Sequence, residues 1–429
     1  MVTIYIAACE YTYYIVANSY WSSTECTATN AWNQNFNNGN QNLNNKTNAN
    51  YVRAVRRCKL LSTISLSTNI TLLTFNMQSD LTLEEVFQAY HDCRLGKRNT
   101  EQAIGFETYV EENLILLHEE LINQTYIPGT SICFVVMRPK IREVWASNFR
   151  DRIVHHILYN RYSGQFHRSF IHDSYACIPG KGTLEAANRV QSFMRSQPTS
   201  AFAMKADVKN FFMSIDRDIL ANILARKIKD PWWFWLCKVI LYHDPKADVE
   251  VRSSKVKLAK VPYQKSLFNA APSRGLPIGN LSSQFFANIY LNELDQYVKH
   301  TLKVKQYARY VDDIVIIDTD VKRLYQLFKA MNNYITIYLR LHFHPNKLSM
   351  QSVTHGVNFV GYIIKPFYRY IRRSTVHQMY LKIYTTPTLR ATINSYLGML
   401  GHVQAYKIKL QLANHLSEYH FDARMTKML

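Results

Sequence analysis

The chain has 429 residues, with 51 Lys+Arg against 31 Asp+Glu and a formal net charge of +20. Apolar residues make up 47% of it and there are only 13 Gly and 12 Pro, which excludes a wholly disordered chain and any collagen-like or elastic design. The length predicts two or three lobes around sizeable cores. The charge points to a polyanionic partner, because basic side chains that neutralise phosphates release condensed counterions.

Composition changes near residue 77. Eleven of the 21 positions from Asn30 to Asn50 are Asn, and Lys46 is their only charge. Such a tract buries too little apolar surface to offset its chain entropy, so residues 1–76 are expected to form a disordered extension. The remainder keeps 46 basic and 29 acidic residues, so the polyanion signal lives there. The apolar N-terminal stretch lacks a basic region and is interrupted by Glu10, which does not fit a signal peptide. Seven scattered cysteines, Cys9, Cys26, Cys58, Cys93, Cys133, Cys177 and Cys237, contain no C-x-x-C. They argue against a zinc site or a disulfide framework and fit a reducing cytoplasm.

Apolar spacing of three and four predicts helices over 81–93 and 107–122. A turn at Tyr126–Gly129 leads into a buried strand, Ser131–Arg138, and a helix with a basic side follows over 150–162. Residues 201–208 predict a short strand, then a helix that Asp216 would cap. Trp232–Cys237 is apolar but runs into Lys238, far short of the ~20 residues of a spanning helix, so no membrane segment is expected. Within a basic insertion over 245–274, the stretch Arg252 to Arg274 is expected to be a loop or hairpin, and 282–299 a helix. Residues 306–318 predict a hairpin around Asp312-Asp313, then a helix over 320–340. Strands at 357–364 and 369–373 and two final helices complete an α+β chain with an antiparallel sheet.

A lone Asp-Asp in a hairpin is ordinarily a solvated turn. Here Asp207 also ends an apolar strand, so three carboxylates are expected near the ends of neighbouring strands. Such crowding is costly unless divalent cations occupy it. Two Mg²⁺ (or Mn²⁺) ions ~3.5–4 Å apart stabilise both the attacking and the leaving oxygen of nucleotidyl transfer. With a basic surface this suggests polymerase or nuclease chemistry; the extra His or Glu ligands usual in a nuclease do not stand beside the pair.

Several blocks, in order, resemble a reverse transcriptase. Asp207-Val208-x-x-Phe211-Phe212, Gly275–Gln284 and Tyr310-Val311-Asp312-Asp313 resemble its palm. Arg138–Glu143 and Phe149–His156 are similar to its fingers blocks, and Leu341–Lys347 and Phe359–Tyr362 to its last palm blocks. The resemblance covers about residues 80–429 and implies a right-hand polymerase: fingers over 77–199, palm over 200–373 and a short helical thumb over 374–429. It implies that Asp207 and Asp312 bind two metal ions with the Val208 carbonyl, and that Asp313 assists. It further implies a nucleotide site lined by Lys140, Arg142, Phe211, Ile278, Gly279 and Gln284, with Phe212 as the gate against a ribose 2′-OH. Lys347 would stand near the leaving pyrophosphate, and Phe359 and Gly361 at the primer grip. His155 and His156 are expected to be structural.

Where most reverse transcriptases carry Gln-Gly-x-x-x-Ser-Pro, this chain reads Ile278-Gly279-x-x-x-Ser283-Gln284. That variation, with Lys265–Asn269, Asp173–Cys177 and Asn394–Gly398, resembles the enzymes of diversity-generating retroelements. These copy a template-repeat RNA into cDNA mutagenised at adenines, and the resemblance implies dNTPs, a cDNA primer and a small basic accessory variability protein as partners. Exchanging Gln for apolar Ile removes a hydrogen-bonding group beside the base and sugar, and a looser pocket discriminates less. Residues 20–57 resemble a translated template repeat, with Met77 as the natural start; a genuine disordered extension is the alternative. The resemblance places the protein in a bacterial cytoplasm or on a phage genome.

Three relatives remain as alternatives. A group II intron maturase would need further domains after the thumb, whereas about 55 residues follow Arg373. A retron enzyme would be expected to keep Ser-Pro where Gln284 stands, and a viral RNA polymerase an acidic residue where Phe212 stands. From another class, the chain could be a catalytically silent RNA-binding scaffold, against which the three aspartates argue.

Overall fold

Side-chain spacing of 3.6 sets the helices of this chain, and short apolar, aromatic or β-branched runs set most strands of its larger unit. The computed structural model describes residues 19–25, 30–35, 41–45, 51–52, 79–95, 100–138, 140–385 and 390–417. It divides into two units, Met1–Phe75 and Asn76–Leu429. In the first, strands β1 (Ser19–Glu25), β2 (Asn30–Asn35), β3 (Gln41–Asn45) and β4 (Tyr51–Val52) lie in the order β3-β2-β1-β4. These strands lie in the Asn-rich tract for which a disordered extension was expected. A ladder is made by main-chain N–H and C=O groups, which Asn carries as well as any apolar residue. Met77, Cys9, Cys26 and Cys58 lie outside the described residues.

The second unit opens with helices α1 (Leu83–Arg94), α2 (Glu101–Glu107) and α3 (Val110–Ile122). Thr82 and Glu85 form a reciprocal capping box that starts α1. Next come β5 (Ser131–Val136), β6 (Arg142–Ala146), α4 (Phe149–His167), α5 (Thr183–Arg195), β7 (Phe202–Asp207), α6 (Phe211–Ser214) and α7 (Arg217–Ala225). The middle of the chain holds α8 (Pro231–Tyr242), β8 (Val249–Val251), α9 (Lys255–Leu258), α10 (Leu281–Gln296), β9 (Tyr307–Tyr310), β10 (Asp313–Asp318) and α11 (Val321–Leu339). The last elements are β11 (Ser349–Ser352), β12 (Val357–Phe359), β13 (Tyr362–Ile364), β14 (Arg369–Ile371), α12 (Arg373–Thr385), α13 (Arg390–Gly401) and α14 (Tyr406–Ser417).

The expected α+β architecture rests on one antiparallel sheet, in the order β11-β7-β10-β9. Its apolar runs are nearly unbroken because both faces are covered. Met204, Ala206, Ile314 and Ile316 enter the core shared with α4, α10 and α11. Ala203, Val315 and Ile317, one position out of phase, enter a second core with α5 and the small sheet β12-β13-β14. This double burial specifies the register, because a one-residue slip would exchange the two faces.

Asp216 caps α7 as predicted, accepting from the Asp218 and Ile219 N–H groups. The tryptophan-rich stretch is α8, with Asp230 as its cap and Pro231 in its first turn. Trp232 and Trp233 are core residues, and no described helix is long and apolar enough to cross a membrane. The helix expected over 107–122 begins only at Val110, after the separate α2. Residues 357–364 are a hairpin in themselves, because Val360 and Gly361 both take positive φ (45° and 94°) and turn the chain. The C-terminal helices number three where two were expected, α12 to α14.

Candidate active site

The register of β7 against β10 sets Asp207 directly opposite Asp313, and that of β9 against β10 sets Tyr310 opposite Asp313. Val311 and Asp312 therefore form a two-residue turn at the sheet end beside Asp207. Val208 N–H donates to the Asp312 carbonyl at 3.3 Å and ties the turn to β7. Val311 has φ +54°, a left-handed backbone that a β-branched residue adopts only under constraint. The constraint is visible. Arg309 Nη1 donates to the Val311 carbonyl at 2.9 Å.

Arg309 is itself completely buried, as is its partner Asp295 on α10, at 2.7 Å. The guanidinium also donates to Ser174 Oγ and Asn288 Oδ1, and Tyr307 donates to Asp295 at 2.6 Å. The sequence reading missed this network. Its signal was there: Tyr307 and Arg309 alternate within a strand whose other neighbours are apolar, and Asp295 interrupts the apolar side of a helix.

Crowding acts on the carboxylates. Burial, and then the neighbouring Asp207 and Asp313 charges, push the Asp312 carboxyl up to about 6, with Lys347 pulling the other way. Lys347 Nζ lies 2.5 Å from Asp207 Oδ1. Lys205 Nζ lies 3.1 Å from Asp313 Oδ1. The three expected carboxylates are therefore each engaged differently. All three aspartates converge on one strand end, but Asp313 turns to Lys205, and among the described residues no three ligating side chains form a group. Hard oxygens crowded enough to raise one carboxyl nevertheless suit divalent cations. Asp207, Asp312 and the Val208 carbonyl are the groups that would hold them.

The other predicted residues divide by burial. Phe211, expected in the nucleotide site, has its ring in the core at 3% exposure. Phe212 is half-buried, with its ring 5.5 Å from that of Phe211. Lys140 and Arg142 are exposed at the β5–β6 turn, and Pro139 lies outside the described residues. The Ile278 carbonyl accepts from Trp145 N–H at 2.7 Å, which pins the following glycine against β6. Gly279 has φ +131°, and a Cβ there would meet the Trp145 carbonyl oxygen at 2.8 Å, so no other residue fits without displacing β6. Gln284 is exposed on the first turn of α10 and accepts from the Cys177 thiol at 3.2 Å. Phe359, expected at the primer grip, is completely buried at the base of the hairpin. Gly361, in the turn itself, has open space around it.

A family described as reverse transcriptase (RNA-dependent DNA polymerase) matches residues 137–364. Protein YkfC of Escherichia coli (strain K12) is 22% identical over 286 residues, covering 58% of this chain and 70% of that protein. A solved structure of telomerase from Candida albicans, in complex with a TWJ fragment of telomeric RNA, aligns with a TM-score of 0.42 and 12% identity. That alignment covers 67% of this chain and 54% of the telomerase chain, so this chain spans about half the length of that protein.

Proposed function

We propose, because the chain belongs to the reverse transcriptase (RNA-dependent DNA polymerase) family, that it adds deoxynucleotides to a primer 3′-OH on an RNA template and releases pyrophosphate. The observation that carries this reading is the register that sets Asp207 beside the constrained Val311-Asp312 turn. Bound there, two Mg²⁺ or Mn²⁺ ions would supply the charge that activates the 3′-OH and stabilises the leaving oxygen. The chain's own groups do the rest. Lys140 and Arg142 grip the triphosphate, where charge-assisted bonds are strongest. Lys347, already beside Asp207, supplies a proton to the departing pyrophosphate.

In this reading the half-buried Phe212 ring is the gate against a ribose 2′-OH. Phe212→Val is expected to raise the kcat/KM for ribonucleotides relative to deoxynucleotides about 10–100-fold. An unchanged ratio in single-nucleotide extension would remove Phe212 from this role.

The narrower reading is the polymerase of a diversity-generating retroelement, copying a template-repeat RNA into adenine-mutagenised cDNA with a small basic accessory protein. Ile278, half-buried and stitched to β6, supports it, as does Gln284 in place of proline. With Ile at 278 the pocket offers the base and sugar no side-chain hydrogen bond from that position. Ile278→Gln is expected to lower misincorporation at template adenines about tenfold, a difference of ~1.4 kcal/mol. Sequencing the cDNA reads it directly. A parent chain that copies adenines faithfully would leave the coarser polymerase reading and remove the narrower one. Fingers over 77–199, palm over 200–373 and thumb over 374–429 are the lobes in which we place these roles.

A further inference from the structure

Helix α10 is buried from Ser282 to Leu291 except at one position, Gln284, which is exposed. Cys177, also exposed, stands at that opening, and its thiol donates to Gln284 Oε1 at 3.2 Å. The main chain explains how two residues so far apart in sequence meet. Arg309 N–H donates to the Asp173 carbonyl at 2.9 Å, and Tyr175 N–H to the Arg309 carbonyl at 3.1 Å. Ser174 therefore lies against β9, the edge strand of the sheet, in a parallel bridge with Arg309. Strand β9 runs on into the Val311-Asp312 turn, so residues 176–177 lead towards the same end of the sheet.

Helix α10 holds that segment one residue at a time. Asn288 Nδ2 donates to the Ala176 carbonyl at 2.7 Å, while Asn288 Oδ1 accepts at 3.2 Å from the guanidinium that holds the Val311 carbonyl. Gln284 lies one turn earlier on the same helix face and meets the next residue, Cys177. Cys177 keeps left-handed backbone at φ +53°, which a residue other than glycine holds only where its surroundings over-determine it. Burial, and then Cys177 itself, push the Tyr310 phenol up, so the sulfur is close to the residue that leads into the Val311-Asp312 turn. The contact also has a chemical sense. With Oε1 engaged by the thiol, the two Nε2 N–H groups are what Gln284 presents to the opening. Without the thiol the carboxamide is free to turn over and present its carbonyl.

We propose that Cys177 is a positioning residue for nucleotide selection: its thiol fixes the Gln284 carboxamide so that donors, not an acceptor, face the nascent base pair. A fixed donor favours a pair whose acceptors arrive in place, whereas a carboxamide that turns over accommodates a misplaced pair as readily. The base pair beside Gln284 rests on the polymerase reading; the contact between thiol and carboxamide does not.

Single-nucleotide extension on an RNA template, right against wrong nucleotide, tests the proposal. A thiol is a weak donor, so Cys177→Ala is expected to lower the ratio of the two kcat/KM values about threefold. The loss should fall on the KM of the right nucleotide and leave its kcat unchanged. Cys177→Ser keeps both a donor and a Cβ and should retain most of the discrimination. In a chain carrying Gln284→Met, Cys177→Ala should add nothing, because no carboxamide is left to hold. An unchanged ratio in Cys177→Ala, equal losses with Ala and Ser, or additive losses with Gln284→Met overturns the proposal. A second measurement needs no catalysis. In the full chain carrying Asp312→Ala, template–primer at about ten times its Kd should slow iodoacetamide alkylation of Cys177 about tenfold, read by peptide mass. Unslowed alkylation places the pair outside the cleft and overturns the proposal too. A parent chain that extends no primer overturns the polymerase reading and this role together; one that extends normally, with an unaltered ratio in Cys177→Ala, overturns this role alone.

Discussion

Asp312→Ala is expected to lower RNA-templated primer extension at least ~10³-fold without unfolding the protein, because a lost ligand forfeits several kcal/mol of transition-state stabilisation. The fold should tolerate the change. Asp312 sits in a turn whose conformation is held through main-chain groups, by Val208 N–H on its carbonyl and Arg309 on the Val311 carbonyl. Its side chain is held against burial and two like charges, so removing it relieves repulsion. Thermal unfolding with and without Mg²⁺ separates the two effects. The parent chain should gain stability on adding the ion, as any ligand of the native state stabilises it, and the variant should gain far less. Retained extension in Asp312→Ala would sink the assignment of the site, whereas a parent chain that extends no primer would restore the silent-scaffold alternative.

The buried Arg309–Asp295 pair carries the second large effect. Asp295→Ala leaves a guanidinium in the core without its carboxylate and is expected to cost about 3–5 kcal/mol in denaturant unfolding. Replacing both partners, Arg309→Met with Asp295→Leu, should recover most of that loss, because apolar side chains of similar volume avoid the desolvation penalty altogether. Activity should not recover with it. The double replacement still removes the donor that holds the Val311 carbonyl at 2.9 Å, and with it the constraint on the Asp312 turn. A double variant that regains both stability and primer extension would show that Arg309 packs the palm without positioning its carboxylates. The pair thus distinguishes a scaffold function from a positioning one, which single replacements cannot do.

Part of this was legible beforehand because the information is local. An apolar run ending in Asp207 and two apolar runs around Asp312-Asp313 announce strands and a turn from their own residues. The cap at Asp216 is likewise a matter of four consecutive residues. By contrast, α8 gave no periodic signal because it is apolar on nearly every side, although it buries mainly the face of Trp232, Trp233, Leu236, Cys237 and Leu241. The hairpin inside 357–364 was hidden because Val360 is β-branched and takes a turn conformation that its type disfavours. Phe211 and Phe359 were placed at the site from their neighbourhood in the sequence, which carries no information on the burial that both rings have.

What the amino-acid sequence determined by itself was the list of reacting groups and the kinds of element that carry them, because side-chain chemistry and backbone preference are properties of neighbouring residues. Only the tertiary structure decided which of those groups meet. It set Asp207 opposite Asp313, turned Lys347 and Lys205 onto two of the carboxylates, buried Arg309 against Asp295, and brought Cys177 onto Gln284. Those meetings depend on strand register and on packing between segments far apart in the chain, where burial of both faces of a sheet selects one alignment over its neighbours.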